Sequence, residues 1–348
     1  MLWGGYACNT TPEMGSPSYT GDWSRLTEII DEIKHPSIPE RTFTVTDFGD
    51  ENKLRENMQP ALQEAINRAS SEGGGKVVIP DGEWISKGPI HLRSSIEMHI
   101  SEGTLPRFSD NPGDYLPQVL VRWEGTEAFN LSPLIYAYQA SDIAITGSGT
   151  VDGNSEYGFA TWRPEQSEAQ SRLRTMGGEG VPVFQRVFDI EDITLIDSPM
   201  WVMHMVCTSH GVVRGVTVNR HRLNNDGIVL DSSEMFLVEN NSFTTGDDSV
   251  VIKSGRDQAE WLLRWFSTDY HSHLGQRHPV RYRDILFENI KENRVNTAFF
   301  AEGVSEEPIQ DVYINNMTVG FANTAIDTTY VRTFNMTNVE INTENKDN

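Results

Sequence analysis

The chain has 348 residues, 37% of them apolar, and a mean hydropathy of −0.44, which is ample for a packed core. Its 50 acidic against 28 basic residues give a net charge of −22, which argues against nucleic acid and anionic membranes as partners. Two cysteines, Cys8 and Cys207, exclude a disulfide framework; they allow one disulfide, and read as two unpaired thiols. No apolar run is long enough to cross a membrane.

Residues 1–42 read as an N-terminal extension. Met1 to Thr20 is rich in Gly, Ser, Thr and Pro and lacks a basic region followed by an apolar core, so no intact signal peptide is expected there. Trp23 to Lys34 carries Leu26, Ile29, Ile30 and Ile33 at helical spacing, and Pro36 and Pro39 end that short amphipathic helix. From residue 43 to 348 a single domain is expected. Phe43 to Gly49 reads as a strand and turn. Met58 to Ala69 presents Leu62, Ala65, Ile66 and Ala69 on one helix face, Gly73-Gly74-Gly75 stops it, and Lys76 to Pro80 returns as a strand. A helix ahead of a run of short strands predicts a cap over the end of a sheet stack.

Strand and turn then alternate. His91 to Ile100 alternates apolar and polar residues, and Ile143 to Gly153 reads as strand, glycine turn and strand edge. Matching Ile193 to Val216, Val218 to Phe243, Ile290 to Met317 and Met317 to Val339 gives steps of 23, 25, 27 and 22 residues. A period in the twenties with β-branched residues and Asn at the turns predicts an all-β solenoid of stacked coils. A leucine-rich repeat has a similar period, but its Leu positions are absent. Two stretches depart from the pattern. Asn154 to Gln185 reads as a long loop, and the segment near 258–281 as a helical or irregular insert, leaving one coil without a recognisable strand between Phe243 and Ile290. Five Asn-x-Ser/Thr sequons, among them Asn316-Met317-Thr318, read as incidental to the Asn-rich repeat.

The chemistry concentrates between Asn224 and Lys253. Asn224-Asn225-Asp226-Gly227 and Gly246-Asp247-Asp248 set one acidic residue and an acidic pair 21 positions apart, each beside a glycine and ahead of a branched apolar run. Carboxylates converging on one patch are what acid/base hydrolysis of a glycosidic bond requires. Gly246 is expected to provide the backbone twist that turns consecutive side chains to one face.

The period, Ser198-Pro199-Met200-Trp201, Asn224-Asn225-Asp226-Gly227, Gly246-Asp247-Asp248 and Ile252-Lys253-Ser254-Gly255-Arg256 together resemble glycoside hydrolase family 28, the polygalacturonase family of right-handed parallel β-helices. The resemblance runs from about Phe43 to Ile341 and includes Gly74 to Pro80. It implies Asp247 as the general acid and Asp226 and Asp248 as the pair that activates water, with inversion at the anomeric carbon. It further implies a pectic polysaccharide as substrate, no cofactor or metal, and a secreted or periplasmic location. The Gly-His-Gly loop and Arg-Ile-Lys strand that family members carry after the Asp pair have no counterpart here. The segment where they belong holds His271, His273, Arg281 and Arg283.

Plainer alternatives stand beside these readings. The three aspartates are also ordinary solenoid turn residues. Asn224 either hydrogen-bonds the site or caps a turn. Lys253 pairs either with a substrate carboxylate or with Asp248. His204, near Trp201, either faces the sugar or is structural, and His210-Gly211 reads as structural. His271, His273 and His278 lack the acidic or Cys partners of a metal site. Trp123, Trp162, Trp261 and Trp265 are candidates for sugar stacking, although most Trp are packing residues. Two other function classes remain: a carbohydrate-binding β-helix impaired in catalysis, and a pectate-lyase-like enzyme using Ca²⁺ and an Arg base.

Overall fold

The computed structural model describes residues 26–123, 126–155, 182–221, 224–253, 282–303, 305 and 308–343. The departures expected at 258–281 and across most of 154–185, with His271, His273, His278, Arg281, Trp162, Trp261 and Trp265, lie outside the described residues. The chain divides into two compact units, residues 29–271 and residues 272–348 with 1–28.

In residues 29–271 the fold is a parallel β-helix. One sheet runs, in hydrogen-bonded order, through Thr42–Thr44, Gly75–Ile79, Ile96–Ile100, Ile135–Gly147, Pro182–Glu191, Met203–Arg214, Ile228–Asp231 and Val250–Lys253. A second sheet stacks Gly82–Ser86, Thr104–Phe108, Thr150–Asp152, Thr194–Ile196, Thr217–Asn219 and Ser242–Phe243. Every neighbour in both is parallel, so each coil adds one ladder step of about 4.8 Å. Long strands turn a corner and serve two faces. Met203–Arg214 pairs with Ile228–Asp231 through its first half and with Glu234–Glu239 through its second. Corner residues take left-handed backbone, as Asp142, Cys207 and His210 do with φ of 57°, 49° and 60°. His210 Nδ1 accepts the Lys34 N–H at 3.4 Å, which fits its structural reading.

Stacking in register puts like residues above like. Phe43, Val77, Met98, Ile145, Ile190, Val213 and Val238 form one continuous column. Such columns replace a globular core, and each fully buried aliphatic side chain in them stabilises by about 1.5–3 kcal/mol. The proposed repeat pairs are ladder partners: Val218 faces Phe243, and the Thr217 N–H donates to the Ile193 carbonyl at 3.0 Å.

The cap is the helix Gln59–Ser71, with Pro60 in its first turn and Leu62, Ala65, Ile66 and Ala69 fully buried. They share one core with Val77 and Ile96. Gly73 and Gly74 end the helix in left-handed backbone at φ 93° and 110°, with the Gly74 N–H on the Ala69 carbonyl at 2.8 Å. A Cβ on Gly74 would lie 2.4 Å from the Ser95 carbonyl oxygen. A preceding helix, Glu51–Glu56, was not expected from the sequence, and the first helix, described over Leu26–Glu32, ends two residues before the expected Lys34. The strand Pro182–Glu191 begins inside the stretch expected to be loop, because its ladder partners on both sides hold it extended. Cys207 is disulfide-bonded, which corrects the expectation of unpaired thiols.

In residues 272–348, Ile285–Glu292, Ile309–Val319 and Val331–Ile341 form a parallel three-stranded sheet, and Val295–Glu302 pairs in parallel with Ala322–Thr329. Ile290, Met317 and Val339 stack in register as matched in the sequence. Asn289, Asn316 and Asn338 occupy successive turns at φ 57°, 54° and 53°. Their amides form a ladder of 3.1 and 3.0 Å, so the amide of the Asn316 sequon is already engaged.

Candidate active site

Three successive strands, Met203–Arg214, Ile228–Asp231 and Val250–Lys253, carry the site. Met203, Ile228 and Val250 are ladder partners, so the turns that precede the strands also stack. The Val202 N–H donates to the Asp226 carbonyl at 2.8 Å, and the Gly227 N–H to the Asp248 carbonyl at 2.8 Å. Asp226 and Asp248 therefore sit one ladder step apart, about 4.8 Å along the stack.

The two turns are also tied by a side chain. Asn225, 1% exposed, accepts the Gly246 N–H on Oδ1 at 2.7 Å and donates from Nδ2 to the Arg220 carbonyl at 2.8 Å. Asp247 Oδ1 accepts the Asp248 N–H at 3.1 Å, and the Asp247 carbonyl accepts the Thr245 hydroxyl at 2.8 Å. The glycine that the geometry requires is Gly227 rather than Gly246. A Cβ on Gly227 would lie 2.4 Å from the Phe243 ring and 2.5 Å from the Ser249 carbonyl oxygen, whereas Gly246 is not in left-handed backbone. Asn224 takes the left-handed conformation at φ 62°, which Asn tolerates well.

The carboxyl groups differ in environment. Asp226 is buried, with Oδ1 sequestered and lacking a hydrogen-bond partner among the described residues. Burial first, then the negative charges of Asp247 and Asp248, push its pKa up to about 7, against the opposing pull of Lys253. Asp247 and Asp248 are exposed. Burial and the neighbouring Asp247 charge raise Asp248 as well. Asp226 thus keeps its proton toward neutral pH, held there by burial and by the charges of its two acidic neighbours.

Beside it lies a wall that the sequence did not reveal as a unit. Along these strands Met203, Met205, Ile228 and Leu230 enter the core, while their neighbours point outward. His204 stacks on Val229 and Val251, and Val206 on Asp231 and Lys253. His204 is 3% exposed; burial lowers its pKa below the usual imidazole range, although Asp231 opposes this. Its ring meets Trp201 edge-on with centroids 4.9 Å apart, and Lys253 Nζ sits 3.8 Å from the Trp201 ring centre. Asp231 is fully buried. Burial alone would raise its pKa, but His204 and Arg122 outweigh this, and its carboxyl is held below the usual range. Arg122 Nη1 donates to Asp231 Oδ1 at 3.2 Å and to Ser232 Oγ at 3.1 Å. It comes from an antiparallel hairpin, Val119–Trp123 with Thr126–Asn130, which the Tyr136 hydroxyl pins by donating to the Leu120 carbonyl at 2.7 Å.

The structure thus brings Asp226, Asp247 and Asp248 together, with Lys253 close enough to influence Asp226. It sets His204 behind Trp201 and gives Asn224 a turn position. Asn225, Trp201, Asp231 and Arg122 were not singled out from the sequence as a group. Asp231 left a trace there, an acidic residue on the outward phase of an apolar strand. Arg122 left none, because 109 residues separate it from its partner.

The sequence profile of glycosyl hydrolases family 28 matches residues 123–268. A protein of Vitis vinifera named "Probable polygalacturonase" is 26% identical over 247 residues, covering 67% of this chain and 49% of that protein. The "Polygalacturonase" of Persea americana is 25% identical over 228 residues, covering 62% and 45%. The chain spans about half the length of the curated relatives it matches. Among solved structures, an exopolygalacturonase of Thermotoga maritima superposes with a TM-score of 0.67 at 24% identity, covering 91% of this chain and 95% of that one. A family 28 exopolygalacturonase of Yersinia enterocolitica gives 0.62 at 18% identity, covering 89% and 67%. The β-helix fold is shared with both, and the family resemblance carried by the motifs holds.

Proposed function

We propose that this chain, with its glycoside hydrolase family 28 segment, is a glycosidase that hydrolyses an α-linked pectic polysaccharide by single displacement. The observation that carries the reading is the carboxyl cluster: one buried carboxyl pushed up to about 7 beside two exposed ones at the head of stacked strands. Inverting hydrolysis needs one protonated and one ionised carboxyl on opposite sides of the scissile bond. Asp247, exposed at the tip of its turn, gives its proton to the leaving oxygen. Asp226 and Asp248 hold a water, and one of them takes its proton as the water oxygen bonds to the anomeric carbon. A base with a pKa near the working pH is stronger than an ordinary carboxylate, and burial gives Asp226 that property.

The names of the plant relatives support galacturonan as the substrate class. A chain with net charge −22 exerts no long-range pull on an acidic polymer, so Lys253 is the local group that receives a uronate carboxylate. Action on cell-wall pectin implies a secreted or periplasmic protein. The test is incubation with polygalacturonate and with rhamnogalacturonan, with products read by mass. Asp247→Asn and Asp226→Asn should each abolish release of reducing sugar, and full activity in either would reject the assignment. Unsaturated products absorbing in the ultraviolet would indicate a lyase instead, and glycan bound without product a binding protein.

The raised Asp226 carboxyl also favours a second reading, in which Asp226 is the acid and the exposed pair handles water. An aryl glycoside whose leaving group needs no protonation separates the two. It remains a substrate for the variant lacking the acid and not for the variant lacking the base.

A further inference from the structure

We propose that Arg220 is a positioning residue that sets the Asp247 turn against Asp226 by way of the buried Asn225 amide. The inference rests on the hydrolase reading above and extends it to a residue outside the three aspartates. Three successive turns are joined in series, those ahead of Met203–Arg214, Ile228–Asp231 and Val250–Lys253. In the first, Asp197 is buried, and its carbonyl accepts the Ser155 N–H at 3.1 Å. Its carboxylate Oδ2 lies 3.7 Å from Arg220 Nε in the second turn. The Arg220 carbonyl accepts from Asn225 Nδ2 at 2.8 Å, and Asn225 Oδ1 accepts the Gly246 N–H of the third turn at 2.7 Å. Gly246 leads directly into Asp247.

Each link answers a physical need. The Gly246 N–H can only donate, so it fixes which end of the amide faces it, and Nδ2 at the other end then requires an acceptor. Asn225 is 1% exposed, so bulk water is not that acceptor, and leaving the donor unmet would be costly. The Arg220 carbonyl takes the part, and the backbone that presents it stands at φ 113°, beyond the left-handed helical basin. Glycine occupies such a position at least cost, and an arginine there must be held by its surroundings. The ion pair with Asp197 supplies that hold. A guanidinium keeps its charge at every working pH, and a carboxylate fixed in the turn one coil away anchors it. Arg220 is half-exposed, so the pair acts as a geometric tether and not as a large source of stability.

Arg220→Gly leaves the backbone angle accessible and removes the guanidinium. For polygalacturonate the expected result is kcat lowered about tenfold with KM within about twofold, because Asp247 loses its placement while the substrate keeps its contacts. Asp226 feels the charges of Asp247, Asp248 and Lys253; as Asp247 recedes, the limb of the pH profile governed by Asp226 moves to lower pH. Arg220→Lys, which keeps a cation opposite Asp197, should recover most of kcat. Asp197→Asn should reproduce the loss if Arg220→Gly folds poorly, and should add little to Arg220→Gly, because both act through one tether. A substrate-free arm follows hydrogen exchange by mass. The Gly246 N–H should exchange severalfold faster in Arg220→Gly, while the Gly227 N–H, on the Asp248 carbonyl at 2.8 Å, keeps its rate. An unchanged Gly246 rate, equal acceleration of both amides, or an unmoved pH profile would overturn the proposal. If the wild type cleaves no pectic polymer, the hydrolase reading falls, and the exchange rates still decide whether Arg220 positions the turn.

Discussion

Asp226 is where burial and charge act on a single carboxyl. Its pKa rises on folding from 3.8 to about 7, so the folded chain binds that proton more tightly than the unfolded chain does. Its contribution to stability is therefore fully present below about pH 4 and is lost as pH rises through about 7. Asp226→Asn carries no charge at any pH. It should match the wild type near pH 4 and exceed it near pH 8, by an amount on the order of a few kcal/mol. Thermal unfolding at the two pH values measures this, and parallel behaviour of the two proteins would contradict it. At the neighbouring position, Gly227→Ala should destabilise the chain and suppress activity, because its Cβ has no room against the Ser249 carbonyl. The aspartates themselves could be read from sequence, since acidic residues beside glycines at coil spacing are a local pattern. Which of them burial would protonate could not be read, because that depends on what covers each one.

Among the elements, the turns and columns make separate predictions. Asn225 couples the Asp226 turn to the Asp247 turn by accepting the Gly246 N–H on its buried amide oxygen, and the same amide donates to the Arg220 carbonyl. Asn225→Ala leaves buried polar groups unmet at about 1–3 kcal/mol each, and the coupling predicts a fall in kcat larger than the change in KM. Steady-state kinetics beside urea unfolding would show whether stability and turnover fall together. Ile145→Ala opens a void in the apolar column that runs from Phe43 to Val238 and should cost about 2–5 kcal/mol, with KM unchanged because the column faces away from the site. The columns were legible from the repeat: Val218 with Phe243, and Ile290 with Met317, are ladder partners in the fold. The helix Glu51–Glu56 was not, because six residues with one buried apolar position leave no periodic signal. Gly246 drew attention by standing beside the Asp pair, but the constraint falls on Gly227, where a neighbouring coil approaches.

For the whole molecule, the excess of acidic residues sets how a charged polymer approaches. A chain of net charge −22 repels polygalacturonate at distances beyond the site. Raising ionic strength from about 10 to about 150 mM shortens the screening length from about 30 to about 8 Å, so kcat/KM on the polymer should rise with added salt. A short oligomer, which carries fewer charges past the surface, should respond less. Loss of polymer turnover on adding salt would show that a local attraction at the site dominates instead. The sequence disclosed the overall acidity and the coil period, since both are sums over many residues that no single contact can change.

By itself the sequence determined the stacked β-coils, the helix ahead of them and the Asn turns, which follow from spacing along the chain and from the stereochemistry of single residues. The parallel β-helix and the roles of the three aspartates were what the resemblance to glycoside hydrolase family 28 implied. Only the tertiary structure decided that Asp226 is buried beside two exposed partners, that Asn225 ties their turns, and that Arg122 reaches Asp231 from a distant hairpin. Contacts of that kind join positions far apart in the chain, and their electrostatics depend on water exclusion, which no local pattern encodes.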